Sequence, residues 1–578
     1  MIPEIRVWAP NAASVFLHVN TQDDRAIHLV PDSAQGWFAG PAIPAGTDYW
    51  FTLDDDATRL PDPASRWQPH GVHGPSRSYD QDAFAWTDTQ WPGRDLGAAV
   101  VYELHVGTFT PGATFDTAIE RLDHLADLGV THVEVLPVNA FNGVWNWGYD
   151  GVGWYAVHEP YGGPDGLKRF VDACHRRGLA VVLDVVYNHL GPSGNHLPRF
   201  GPYLKPGRNT WGDLVNFDEP AVRRFVIDNA LMWLRDFHID GLRLDAVHAL
   251  HDDSPVHVLA ELSAEVDRLA AELRRPLTLV AESDLNDPVV ITPRDEGGWG
   301  LAAQWDDDVH HALHALLSGE VQGYYCDFGS LPVLAKVLTQ AFLHDGGYST
   351  FRGRNHGSPV DRGSTPGWRF VVALQNHDQV GNRAVGDRLP EIVGEPLLRV
   401  GALLLLTSPF TPMLWMGEEW AASTRWPFFT SHPEPELAAA TGQGRLAEFA
   451  DHGWDVSDLI DPQDPRAYRE AVLDWAEPTR GSHPAMLVLY RELIRLRASI
   501  PDLRDPDLAA VRVEYDEPAR WVVVTRGRYR VVVNLAEVPQ RLAISGELVF
   551  ATDAAIVDSA GLLLPPESGA IVRVVGAS

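Results

Sequence analysis

Three textures of apolar and polar positions follow one another along the chain. In residues 2–90 the alternation has a period of two. Ile5-Arg-Val-Trp-Ala9, Ser14-Val-Phe-Leu-His-Val19, Trp37-Phe-Ala39 and Asp48-Tyr-Trp-Phe-Thr-Leu53 each turn one strand face inward, with Pro10-Asn11 as a turn. No helical period appears, so this stretch predicts a small β-sandwich, residues 1–90. Pro61-Asp-Pro63, Pro69 and Pro75 predict an extended connector that ends at Trp91-Pro-Gly-Arg94.

From Ala98 short apolar runs alternate with amphipathic stretches. The runs are Val100–Val106, His132–Val138, Ala180–Tyr187, Gly241–Ala246, Leu277–Glu282, Ala302–Trp305, Phe370–Leu374 and Pro412–Met416. Helical periods fill Phe115–Leu128, Gly166–Arg177, Ala221–Phe237, Val256–Leu273 and Leu331–Leu343. Eight apolar strands with crossover helices predict a (β/α)₈ TIM barrel with insertions, residues 91–500. A doubly wound open sheet is the competing fold, and it loses ground because no glycine-rich phosphate loop follows any of these strands. After a long helix, Pro484–Ser499, the period of two returns in Val511–Tyr515, Trp521–Arg526, Tyr529–Leu535 and Ala570–Val575. Residues 501–578 therefore predict a C-terminal all-β domain. It clusters no His, Asp or Cys and is assigned no chemistry.

Composition narrows the partners. In 578 residues, 46 Lys and Arg stand against 78 Asp and Glu, a formal charge of −32. Such a surface repels nucleic acid and anionic membrane, which leaves a neutral ligand as the natural partner. The 20 Trp, 15 Tyr and 21 Phe supply flat apolar platforms for one. Two cysteines, Cys174 and Cys326, cannot build a disulfide framework, and the first residues lack the basic head and apolar run of a signal peptide. A cytoplasmic location is expected. The longest apolar run, Val400–Leu406, is far too short to span a bilayer.

Charged residues matter most where apolar strands should not carry them. In Gly241-Leu-Arg-Leu-Asp245 a guanidinium sits inside a strand, and an acid ends it. Residues two apart share one strand face, so Arg243 would orient Asp245. An ion pair that only fixes strand register explains this one segment equally well. Other strands decide. The third ends Leu183-Asp-Val-Val-Tyr-Asn-His189, the fifth Val280-Ala-Glu-Ser-Asp284 and the seventh Gln375-Asn-His-Asp-Gln379. Carboxylates, histidines and an arginine from non-adjacent strands thus converge on the carboxyl end of one barrel, where βα loops carry chemistry. A hard cation would accept such oxygens, but Arg243 opposes one beside Asp245, and no His-x-x-Glu-His zinc signature occurs. Glycoside hydrolysis fits better. It needs one carboxylate as nucleophile and one carboxylic acid to protonate the leaving oxygen.

These residues resemble the α-amylase family of glycoside hydrolases. Its four short motifs are matched in order by Asp184-Val-Val-Tyr-Asn-His189, Gly241-Leu-Arg-Leu-Asp245, Ala281-Glu282 and Asn376-His-Asp378, within roughly residues 95–490. The resemblance implies Asp245 as nucleophile, Glu282 as general acid/base and Asp378 as transition-state stabiliser, with retained anomeric configuration. It also implies that His189, Arg243 and His377 bind the sugar before the cleaved bond, with Tyr149 of Trp147-Gly-Tyr-Asp150 stacked on it; ordinary core packing is the other reading of Tyr149.

Within the family, Ser65-Arg-Trp-Gln-Pro-His-Gly-Val-His-Gly-Pro-Ser76, Ala281-Glu-Ser-Asp-Leu-Asn-Asp287 and His377-Asp-Gln-Val-Gly-Asn-Arg383 resemble malto-oligosyltrehalose trehalohydrolases. Gln379 stands where branching enzymes would carry Glu. The implied substrate is maltooligosyl trehalose, a neutral α-glucan oligosaccharide, cut at the α-1,4 bond next to its terminal trehalose. His248 and the Asp284–Asp287 loop are candidates for gripping the leaving group, with helix capping as their alternative. A 1,4-α-glucan branching enzyme, a general amylase or debranching enzyme, and a non-catalytic carbohydrate-binding protein are the competing readings. No cofactor is implied. Asn188 matches a calcium ligand of some amylases, but Leu190–Pro198 holds no carboxylate, so no metal is expected.

Overall fold

Eight short strands close into a parallel barrel in chain order: Val101–Leu104, His132–Val135, Ala180–Val185, Gly241–Leu244, Thr278–Ala281, Ala303–Trp305, Phe370–Ala373 and Thr411–Trp415. The computed structural model describes residues 4–20, 25–451 and 459–574. All eight strands overlap the predicted stretches. The last pairs back onto the first, Met413 beside Val101, which excludes the open sheet.

The barrel interior changes character along its axis, and that change makes room for a site. At the amino end Leu96, Ala99, Val101, Val280, Ala303, Val371 and Met413 form an apolar plug. One layer higher, buried Glu103, Glu134, Asp184 and Arg243 replace it, with Glu103 paired beside Glu134 and Asp184 beside Arg243. The intervening residues, such as Tyr102, Val133, Leu183 and Leu242, face outward into the larger core shared with the helices.

One helical prediction needs correction. Phe115–Leu128 is two helices, Phe115–Ile119 and Leu122–Leu128, because the 118–124 junction is tightened by Arg121 N–H to Ala118 and His124 N–H to Arg121 bonds. Asp307–Ser318 and Glu395–Thr407 are helices that went unpredicted. The first buries His310, His311 and His314, stacking His314 on Tyr325 at 4.6 Å. The second is apolar nearly all round because it packs against the His483–Ser499 helix and the Ser568–Arg573 strand. Among the described residues no helix is long and apolar enough to cross a membrane.

The flanks are all-β. Before the barrel, a three-stranded and a four-stranded antiparallel sheet contain every predicted strand, plus Arg25–His28, Val30–Pro31 and Ser76–Arg77. After it, a five-stranded and a three-stranded sheet span Arg512–Asp516 to Ser568–Arg573. Four of those strands, between Gln540 and Leu564, are short and went unpredicted.

The connector is clamped under the barrel. His175 lies between Asp88, at 2.8 Å, and Asp240, at 2.9 Å, while Trp91 stacks on its ring and Arg275 reaches Asp240 at 2.8 Å. Burial alone would lower the His175 pKa, but the two carboxylates hold it raised; burial would likewise raise Asp88 and Asp240, and the partner charges hold both lowered. The carboxylate contribution is present above about pH 4 and is lost as pH falls through the depressed values; the His175 contribution is present below about pH 6.5 and is lost as pH rises through the raised value. Asp88→Ala leaves a buried imidazolium half-paired and should destabilise the fold by about 3 kcal/mol near pH 6. A urea midpoint unchanged from the native protein would show that the clamp contributes nothing.

Candidate active site

Arg243 organises the mouth of the barrel. Its side chain is fully buried and lies over the Trp305 ring, 4.3 Å from the centroid. Nη1 donates to Asp184 Oδ2 at 2.9 Å and to Asp245 Oδ1 at 2.7 Å. Nη2 makes no hydrogen bond and points between Glu282 Oε2 at 3.7 Å and Asp378 Oδ2 at 4.0 Å. One guanidinium therefore lies within 4.0 Å of carboxylates from four strands. A register-fixing ion pair would not need the last two.

Asp245 follows the fourth strand and is held at both oxygens, by Arg243 and by Asn188 Nδ2 at 2.6 Å. Asn188 spends its carbonyl on His189 Nδ1, at 2.6 Å. Ala246 then takes a left-handed turn, φ 42°, and its backbone N–H reaches Glu282 Oε2 at 2.5 Å. A non-glycine residue held there marks a constrained turn, and the turn fixes the Asp245 loop to the Glu282 loop. Burial, then the charges of Asp245, Asp378 and Asp307, raise Glu282 to about 8, with Arg243 opposing. That carboxyl is protonated at neutral pH, while Arg243 and Asn188 both aim donors at Asp245. The two acids of one pocket thus have unlike surroundings, Asp245 between two donors and Glu282 buried beside other carboxylates.

Asp378 sits in the first turn of the short helix His377–Gly381, whose Asn376 cap accepts the Gln379 N–H at 2.8 Å. That turn packs so tightly on Trp147 that a Cβ on Gly381 would stand 1.9 Å from the indole. His377 is buried behind Asp378. Its Nδ1 and backbone N–H both meet the Glu103 carboxylate, and its Nε2 lies 2.7 Å from the Tyr149 hydroxyl. Tyr149 stacks on the His377 ring at 5.2 Å and donates to Asp184 at 2.6 Å. Its core-packing reading falls short, because its hydroxyl ties together the third and seventh strand ends.

Farther out, the pocket opens. His189 stacks on Trp211, centroids 6.1 Å apart, and the same indole meets His248 edge-on at 6.2 Å. His248 Nδ1 accepts the Asp284 N–H at 3.2 Å, and the half-exposed Asp284 carboxylate pairs with Arg352. Gln379 is half-buried one residue beyond Asp378. The rest of the 284–287 loop follows the capping alternative: Asp287 caps the Pro288–Val290 turn, and Asn286 binds the Asp308 carboxylate at 2.8 Å.

Several residues at the site were not singled out from the sequence. Glu103 and Trp305 lie inside strands read as core. Asp307 hides in the run Asp306-Asp-Asp308, which reads as a helix start; burial and the nearby charges of Asp378 and Asp284 push it up to about 7. Trp211 and Arg352 come from the turns of two short hairpins outside the barrel, Leu204–Arg208 with Asp213–Val215 and Tyr348–Ser349 with Arg354–Asn355. Among the described residues no group of three or more His, Cys, Asp or Glu is arranged to hold a metal ion.

A family model described as "Alpha amylase, catalytic domain" matches residues 112–199, and one described as "Domain of unknown function (DUF3459)" matches residues 506–571. A malto-oligosyltrehalose trehalohydrolase of Arthrobacter ramosus is 55% identical over 98% of this chain and 99% of its own. That of Rhizobium sp. (strain M-11) is 53% identical over 98% and 97%. A crystal structure described as a putative alpha amylase from Salmonella typhimurium superposes with a TM-score of 0.90 at 37% identity, covering 99% of this chain and 97% of that one. With such identity running through both β flanks as well as the barrel, the chain belongs to the malto-oligosyltrehalose trehalohydrolase family of glycoside hydrolases.

Proposed function

We propose that the protein hydrolyses the α-1,4 bond next to the terminal trehalose of maltooligosyl trehalose, releasing trehalose and a malto-oligosaccharide, with retention at the anomeric carbon. The observation that carries the mechanism is the single guanidinium shared by Asp245, Glu282 and Asp378.

Asp245 attacks the anomeric carbon of the sugar before the cleaved bond. Glu282, held protonated by its raised pKa, gives its proton to the departing oxygen of trehalose. The resulting glycosyl ester is cleaved by water as Glu282 takes the proton back, and Asp378 stabilises the oxocarbenium-like charge in both steps. Tyr149, His189, Arg243 and His377 bind the sugar at that centre. His248, Asp284 and Gln379 face the leaving group. No cofactor enters this scheme. The unpaired cysteines, Cys174 buried and Cys326 exposed, support a cytoplasmic setting.

Trehalose and maltose have the same hydroxyls in different directions, so selectivity rests on hydrogen bonds that only one geometry satisfies. Maltotriosyl trehalose should be cleaved about a hundredfold faster than maltopentaose. Asp284→Ala also frees Arg352, and it should narrow that ratio mainly through loss on the trehalose-ended substrate. Equal rates on both substrates in the native enzyme would reduce it to a general amylase. New α-1,6 branches without free trehalose would make it a branching enzyme.

A further inference from the structure

The seventh strand end is held from inside the barrel by a group the reaction scheme leaves idle. Glu103, on the first strand, is 1% exposed and grips residue 377 twice, at the backbone N–H (3.0 Å) and at ring Nδ1. The far side of that ring bonds to Tyr149, whose hydroxyl bonds onward to Asp184, and Asp184 bonds to Arg243. This chain has a definite direction. Arg243 donates to both oxygens of Asp184, so once Asp184 is ionised it can only accept, and the single Tyr149 proton goes to it. Tyr149 oxygen must then accept from His377 Nε2–H, while Glu103 accepts from Nδ1–H. Both ring nitrogens carry protons.

We propose that Glu103 is a positioning residue for glycoside cleavage: it holds His377 as an oriented imidazolium, the second cation of the site beside Arg243. This rests on the sugar-binding reading of the pocket. Even with Glu282 protonated, Asp184, Asp245, Asp307 and Asp378 converge here on the one guanidinium of Arg243. His377 Nε2 also lies 3.5 Å from Asp378 Oδ1, so its charge stands where the stabilising carboxylate must remain an anion during turnover.

Other groups facing the ring agree with this state. Burial would lower the His377 pKa, but Asp378 and Glu103 raise it to about 9, against Arg243. His105, one residue past the strand that carries Glu103, is held neutral by burial, its pKa pushed down to about 3 with the His377 charge contributing. Glu134, beside Glu103 on the second strand, is held well above the carboxylate range by burial and by Glu103. Asp184, raised to about 7 by burial against Arg243, is the remaining partner, and it sets this direction from neutral pH upward, where it ionises.

The test is Glu103→Gln, close to isosteric. A carboxamide cannot accept at both the backbone N–H and Nδ1; with its oxygen on the backbone, its NH₂ faces Nδ1 and lowers the ring's pKa, so the ring loses its proton at lower pH. The loss in kcat/KM should grow with pH, about tenfold at pH 6 and about a hundredfold at pH 8, carried mainly by kcat. The alkaline limb should move acidward by about one unit or more, and Glu103→Asp should restore part of it. In a His377→Gln background, Glu103→Gln should add little. An equal loss at every pH, or an undiminished effect in that background, would make Glu103 a structural residue only. A thermal midpoint near native shows that the variant folds; if Glu103→Gln does not fold, the Glu103→Asp profile decides, with an unshifted limb counting against the proposal. Trehalose release by the native enzyme is scored separately, so the functional reading stands or falls on its own.

Discussion

Asp245→Asn is expected to lower kcat on maltooligosyl trehalose by about 10⁴-fold or more, equivalent to roughly 5 kcal/mol of barrier. An amide is a poor nucleophile, and the site also rejects it geometrically. Asp245 accepts from Arg243 Nη1 at one oxygen and from Asn188 Nδ2 at the other. Whichever way the asparagine lies, its NH₂ faces a donor, and one hydrogen bond of the pair is lost. Arg243 keeps Asp184, so no buried guanidinium is stranded and the fold should survive with a near-native thermal midpoint. Asp245→Ala gives a sharper test. With the oxygens gone, added azide can enter the vacated side and attack an activated glycosyl fluoride there, yielding a glycosyl azide of inverted configuration. Near-native turnover of either variant would remove Asp245 from the nucleophile role.

The barrel was legible because its strands are buried on both faces, which leaves short apolar runs that helices and loops do not imitate. Asp184, Asp245, Glu282 and Asp378 were legible for the same reason, since each breaks or follows such a run at the end where the loops converge. Glu103 was not. A glutamate within Val101-Tyr-Glu-Leu104 has no local mark separating it from the acidic residue of an outward face, and only closure of the barrel brings it to His377. Asp307 illustrates a different loss. Asp306 does cap the helix that follows, at 3.1 Å to the Asp308 N–H, so the local explanation of the acidic run is correct and conceals its neighbour. Trp211 and Arg352 depend on how long insertions fold back over the mouth, and no period in the sequence records that. The helix Glu395–Thr407 was missed because its buried run, Val400–Thr407, reads as a plain apolar stretch.

Glu282→Gln is expected to lower kcat on maltooligosyl trehalose by about 10³-fold while sparing substrates that need no proton. Trehalose leaves as an alkoxide unless its oxygen is protonated, and Glu282 is the acid placed for that. A glycosyl fluoride leaves as fluoride, so its first step should proceed at a near-native rate in the variant. The two substrates together separate loss of the acid from general damage to the pocket.

The pH dependence adds an independent sign. Burial and neighbouring carboxylates raise Glu282 to about 8, so the acid form predominates at neutral pH and is lost as pH rises through that value. Native cleavage of maltooligosyl trehalose should therefore fall off above about pH 8, and that limb should vanish from the fluoride reaction of the variant. Folding responds in the same direction. A carboxyl whose folded pKa lies above its unfolded value contributes most below the unfolded pKa, near 4.5, and loses that contribution as pH rises through about 8. Glutamine has no charge to suppress, and its carbonyl still accepts the Ala246 N–H. Glu282→Gln should thus unfold at a higher temperature than the native enzyme at pH 8, with the gap narrowing toward pH 5. A variant that lost the fluoride reaction as fully as the natural one, or whose alkaline limb stayed in place, would show that another group supplies the proton.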